Sequence, residues 1–138
     1  MLKKLIQDGY GIKEGLNCAE TILYGANQVY QLNLNLDSLK LAAAFWRGHG
    51  YRKHLWCIDS IPYGFREAFF PDIAHKHPEI KELSKELFDA FKKEMGDILC
   101  KPLKDNYRTE EKKCREVILK GAEILDKIVI RLLNKGEC

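Results

Sequence analysis

Four cysteines are the residues of this sequence best suited to chemistry. Their spacing contains no CxxC and no CxxCH, which removes the usual signatures of a zinc ribbon, a thioredoxin-like motif and covalently attached c-type haem. In a reducing compartment, clustered cysteines more often cycle redox state or bind metal than form structural disulfides. The four are Cys18, Cys57, Cys100 and Cys114, and a fifth, Cys138, ends the chain in a polar tail.

Thiol–disulfide exchange is the first chemistry that these residues predict. One cysteine attacks as a thiolate and a second resolves the mixed disulfide. Cys57 is the expected attacker, because nearby positive charge favours the thiolate over the thiol. That charge comes from four neighbours: His49, Arg52, Lys53 and His54. The candidate resolving cysteines are Cys18, Cys100 and Cys114.

Two other functions fit parts of the same sequence. Four thiolates satisfy a tetrahedral zinc ion or an iron–sulfur cluster, with His49 or His54 as a substitute ligand. The loop 46–56 interleaves aromatic and basic residues, which suits a binding module without catalysis that stacks on a base or holds a phosphate. A cysteine also packs well as a small apolar residue of the core. The residues alone leave these alternatives open.

Composition narrows the class of protein. The 138 residues suit a single domain, 1–138, with a short polar tail from about 134. The net charge of +3 arises from interspersed charges of both signs, so it gives no case for nucleic-acid or membrane partners. The N-terminal apolar stretch is too short for a signal peptide, and no run approaches the roughly 18 apolar residues of a membrane span. We therefore expect a cytoplasmic protein, whose redox partner the sequence does not identify.

Helical periodicity dominates the chain, and no run alternates as a strand does. We predict an all-α fold, a single compact bundle of five or six helices with short loops. Gly96 should end the longest central helix, and Thr109 should cap the last. The predicted helices cover about 2–7, 14–30, 37 or 38 through 46, part of 55–70, 78–95 and 110–133, with a turn at about 98–103 that holds Cys100.

The local sequences around the cysteines carry a family resemblance. Asn17-Cys18-Ala19-Glu20 opens a helix, and a glycine-containing run at 45–50 leads to Cys57. Phe91, Gly96 and Cys100 form a third segment, and Cys114-Arg-Glu-Val-Ile a fourth. In this order the segments resemble the C-GCAxxG-C-C family of redox-active proteins over nearly the whole chain. The resemblance implies redox chemistry at the four cysteines. One departure is that bulky Trp56 and Ile58 flank Cys57, where the family has small residues.

Overall fold

The computed structural model describes residues 1–40 and 76–135, and within these ranges the chain forms helices and no β-strand, apart from one isolated bridge. The predicted all-α class is confirmed. Several predicted features lie outside the described residues: Cys57, His49, His54, the loop 46–56 and the segment 55–70. The helices are α1 (Leu2–Gln7), α2 (Cys18–Tyr30), α3 (Leu36–Lys40), α4 (Glu79–Met95), α5 (Cys100–Tyr107) and α6 (Arg115–Lys135).

Among the described helices, none is both long enough and apolar enough to cross a membrane.

Helix α6 is the centre of the packing. Helices α1, α2, α4 and α5 all contact it, and their apolar faces meet in one core. Fully burying a large apolar side chain contributes roughly 1.5–3 kcal/mol, so this shared face stabilises helices too short to persist alone. Its most buried large side chains include Leu2, Ile6, Ile22, Leu87, Phe91, Leu103, Leu125 and Val129.

Helix α2 begins later than the sequence pattern predicts. A capping box fixes its first residue: the Glu20 amide donates to Asn17 Oδ1 and the Asn17 amide donates to Glu20 Oε2, each at 2.9 Å. Residues 14–17, predicted to be helical, precede the helix. Cys18 is consequently the first residue of α2 and lies in its first turn.

Helix α4 closely matches its predicted range of about 78–95. Pro78 precedes its first residue, a position where a missing amide proton is tolerated. Gly96 ends it in the left-handed conformation, with φ of 85°, as expected of a glycine in that position. This helix delivers Phe91 and Leu87 to the core.

The predicted turn at 98–103 is wrong, because Cys100 opens the short helix α5. Asp97 Oδ1 accepts hydrogen bonds from the amides of Ile98 at 2.6 Å and Leu99 at 2.9 Å, which fixes the chain just before the helix. Pro102 falls within the first turn, where helical amides have no intrahelical partner and proline removes nothing. Cys100 is therefore also a first helical residue.

The last helix begins at Arg115 rather than at 110. Thr109 does not cap it: Thr109 Oγ1 accepts from the Lys112 amide at 2.9 Å within a separate turn. Lys113 completes that turn with φ of 51°. The carbonyl of Cys114 then accepts from the Ile118 amide at 3.1 Å, so Cys114 immediately precedes α6 instead of lying inside it.

Both ends of α1 are bonded to side chains of α6. At its start, the amides of Leu2 and Lys3 donate to the Asp126 carboxylate at 2.8 and 3.0 Å. At its end, Arg115 Nη2 donates to the carbonyls of Ile6 at 2.7 Å and Gln7 at 3.0 Å. Helix α1 therefore runs antiparallel to α6.

Candidate functional site

Three of the four predicted site cysteines stand where helices start. Cys18 and Cys100 are the first residues of α2 and α5, and Cys114 directly precedes α6. All three are partly buried. The fourth, Cys57, lies outside the described residues. The three helix starts give the described cysteines a common local setting, near backbone amides that have no partner within their own helix.

Cys18 and Cys100 lie within electrostatic range of Cys114, although α2 is far from α5 and α6 in sequence. Both lie close enough to Cys114 for negative charge on either to raise its pKa. Cys18 and Cys100 also pack against the main core. The neighbourhood of Cys114, at the end of the bundle where α6 begins, thus includes two other cysteines that act on its charge.

The pKa of Cys114 is raised, and its surroundings explain the direction. Partial burial is the largest influence and raises the pKa by disfavouring the charged thiolate. Arg108 and Lys104 act against burial and lower the pKa, but they do not overcome it. Cys114 is therefore mainly a protonated thiol at neutral pH.

Helix α5 supplies the positive charge of this neighbourhood. Lys104 lies one helical turn after Cys100, and Arg108 directly follows the helix. Both side chains are exposed. The sequence predicts basic charge beside Cys57, whereas these two cations were not predicted because the residues that form α5 were assigned to a turn. The spacing of Cys100 and Lys104, four residues apart, would have revealed the shared helix face.

A complete metal site is not present among the described residues. Within 1–40 and 76–135, no three His, Cys, Asp or Glu side chains are arranged to hold one metal ion. The metal alternative therefore depends on groups from outside these ranges, with Cys57, His49 and His54 as the predicted ones. Cys100 and Cys114 are free thiols.

Comparison with known families identifies the family of this chain. A family model described as "Putative redox-active protein (C_GCAxxG_C_C)" matches residues 16–128, a range that contains all four predicted site cysteines. Searches of curated proteins and of solved structures gave no significant match.

Proposed function

Since this chain belongs to the C_GCAxxG_C_C family, we propose that it performs thiol–disulfide exchange with Cys18, Cys57, Cys100 and Cys114. The observation that carries the proposal is the shared neighbourhood of the three described cysteines. Negative charge on Cys18 or Cys100 acts on Cys114, so both cysteines lie within electrostatic range of this thiol. A lone buried cysteine of the core would have no such neighbours.

The proposed reaction consumes one disulfide, R–S–S–R. A cysteine thiolate bonds to one sulfur of this disulfide, and the other sulfur leaves as RS⁻. A second cysteine then loses its proton, attacks the mixed disulfide and releases the second RS⁻. The protein gains one disulfide and loses two protons overall, while the substrate is reduced to two thiols.

The pKa of Cys114 supports a resolving role for this residue. A thiolate is the nucleophile in exchange, and Cys114 is held largely as the thiol because burial raises its pKa. An attacking cysteine should be mainly thiolate at neutral pH, whereas a resolving cysteine can act once the mixed disulfide brings its target close. Cys57 remains the predicted attacker.

Counting thiols in the native protein tests the proposal. Protein reduced without oxygen should expose its full set of five cysteines after denaturation. Protein that is treated with a small disulfide and then separated from the reagent should lose two or four free thiols. Peptide mapping should place the new disulfide bond or bonds among the four site cysteines. Cys138 is the internal control, since it should stay unpaired.

Two results would overturn the proposal. One is a native protein in which all five thiols remain reactive after oxidation and no bond can be mapped. The other is stoichiometric zinc or iron in protein purified without chelators, with thiols that react only after metal removal. That second result would favour the metal site.

A further inference from the structure

We propose that the site prefers small disulfides that carry carboxylate groups, because Lys104 and Arg108, two cations with no ion-pair partner within residues 1–40 and 76–135, flank Cys114. This inference deepens the proposed thiol–disulfide exchange and rests on it. The inference concerns the group R of the substrate disulfide. This group must lie beside Cys114 when the Cys114 thiol reacts, whether R belongs to a free disulfide or to a mixed disulfide with the protein.

The backbone of α5 brings the two cations to the cysteines. Cys100 and Lys104 are four residues apart on α5 and share one of its faces. The amide of Arg108 donates to the carbonyl of Lys104 at 3.0 Å, so Arg108 continues the helix by one residue. The antiparallel bridge between Thr109 and Lys113, with the Lys113 amide donating to the Thr109 carbonyl at 2.9 Å, then turns the chain back and brings Arg108 opposite Cys114. From these positions both charges act on the Cys114 thiol.

Two other basic side chains of this region, those of Lys101 and Arg115, are already engaged. Lys101 pairs with Asp105 at 2.7 Å, and Arg115 donates to carbonyls at the end of α1. Lys104 and Arg108, in contrast, form no ion pair within the part of the chain that the structure describes. Their charge is therefore available to an incoming ligand.

Positive charge at this place would favour an anionic substrate in two ways. It raises the local concentration of negatively charged molecules. It also stabilises the second negative charge that appears when a carboxylate-bearing thiolate leaves. Both effects act between exposed charges and weaken with salt, since the screening length is only about 8 Å at physiological ionic strength.

The test compares two reagents of different charge on the fully reduced full-length protein. One is the dianionic bis(carboxynitrophenyl) disulfide and the other a neutral dipyridyl disulfide. The rate of modification at Cys114 is followed by peptide mass mapping. The ratio of the two rates is the useful quantity, because any change in the thiolate fraction of Cys114 alters both rates equally and cancels.

The variants are Lys104→Gln, Arg108→Gln and the double variant, with Lys81→Gln as the control. Lys81 is exposed near the start of α4, and its replacement gives the same net-charge change as either single variant. At low ionic strength the double variant should lower the rate ratio, dianionic over neutral, by roughly 3- to 10-fold. Salt should lower the wild-type ratio, and Lys81→Gln should leave it unchanged.

The failures of the two proposals are distinguishable. An unchanged ratio in the double variant, in a protein that still forms its disulfide, overturns the charge preference alone. A protein in which no cysteine pair forms on oxidation overturns the thiol–disulfide proposal, whatever the ratio.

Discussion

Asp126 and Arg115 lie about three turns apart on α6 and hold opposite ends of α1. The carboxylate meets the amides at the start of α1, and the guanidinium meets the carbonyls at its end. Each charge is opposite to the partial charge of the helix terminus that it contacts. Because α1 has only six residues, it is too short to persist alone. Its helical structure depends on these two side chains and on burial of Leu2 and Ile6.

Replacement of Asp126 should destabilise the fold strongly. Asp126 is only 8% exposed, and Asp126→Ala would leave the amides of Leu2 and Lys3 and the hydroxyl of Tyr30 without their acceptor. We expect a loss of about 2–4 kcal/mol in the free energy of unfolding, measured with urea. The control is Asp105→Ala, which removes an exposed pair with Lys101 and should change stability by less than about 1 kcal/mol. Equal effects in the two variants would contradict this role of Asp126.

The Asp126 contribution should disappear in acid. Burial raises the pKa of Asp126, but hydrogen bonds from the Tyr30 hydroxyl and the amides of Lys3 and Leu2 outweigh burial and leave it below 3.8. A lowered folded-state pKa means that the stabilisation is complete well above pH 3.8 and is lost as pH falls through the folded value. The stability difference between wild type and Asp126→Ala should therefore be constant above about pH 5 and shrink below pH 3.8. A difference independent of pH would contradict the assignment.

Tyr30 should make the protein sensitive to alkali. Burial, and then the hydrogen bond and charge of Asp126, raise the Tyr30 pKa far above its ordinary value of 10.0. The stabilisation is complete below pH 10.0 and declines above it, because the unfolded chain loses the Tyr30 proton first. Tyr30→Phe should lower stability by about 1 kcal/mol at neutral pH, and its deficit should narrow above pH 10.0. Denaturation series at several pH values measure both effects.

Two helical glycines should respond to alanine with opposite signs. A Cβ at Gly25 in α2 would lie 2.7 Å from Leu2 Cδ1, and Leu2 is fully buried. A Cβ at Gly121 in α6 would meet its nearest atom, on Phe91, at an ordinary 4.0 Å. Alanine favours a helix over glycine by about 1 kcal/mol. Gly121→Ala should therefore gain roughly 0.5–1 kcal/mol, whereas overpacking in Gly25→Ala should cost about 1–2 kcal/mol net. Thermal unfolding compares the pair.

The reactivity of Cys114 should rise only at high pH. Because burial raises its pKa above 9.0, the rate of Cys114 alkylation by iodoacetamide should reach its midpoint above pH 9.0. Lys104→Gln and Arg108→Gln should each move the midpoint further up, since both cations lower the pKa. Mass spectrometry of the Cys114 peptide gives the rate. A midpoint at or below that of a free cysteine would show that burial does not control this thiol.

Local signals in the sequence predicted much of the fold. Pro78 and Gly96 mark the ends of α4 because each residue has a backbone restriction that acts without tertiary contacts. The start of α2 was also encoded locally, in the pair Asn17 and Glu20, but the prediction extended the helix to 14 by periodicity alone. Helix α5 was not predicted, because the residues that follow Gly96 were assigned to a turn, although Pro102 is compatible with the first turn of a helix.

The partners of Asp126 could not be predicted in this way. A carboxylate between the buried Leu125 and Ile128 breaks the apolar face of α6, which signals a specific role but not a partner. Asp126 accepts hydrogen bonds from amides at the other end of the chain. No local sequence pattern predicts that pairing. The same limit applies to Lys104 and Arg108, whose nearness to Cys114 depends on how α5 packs against α6.

The hydrogen bonds that hold both ends of α1 to α6 also determine the order in which these helices become stable during folding. The contact of Leu2 with Asp126 spans 124 residues of sequence, and that of Arg115 with Ile6 spans 109. During synthesis from the N-terminus, α1 emerges before α6 but acquires the partners of its two ends only after α6 has left the ribosome. Contacts of such long sequence separation form slowly, because a large loop must close before they contribute. Helix α1 is thus made before α6 and yet becomes stable only after it, late among the helices that the structure describes.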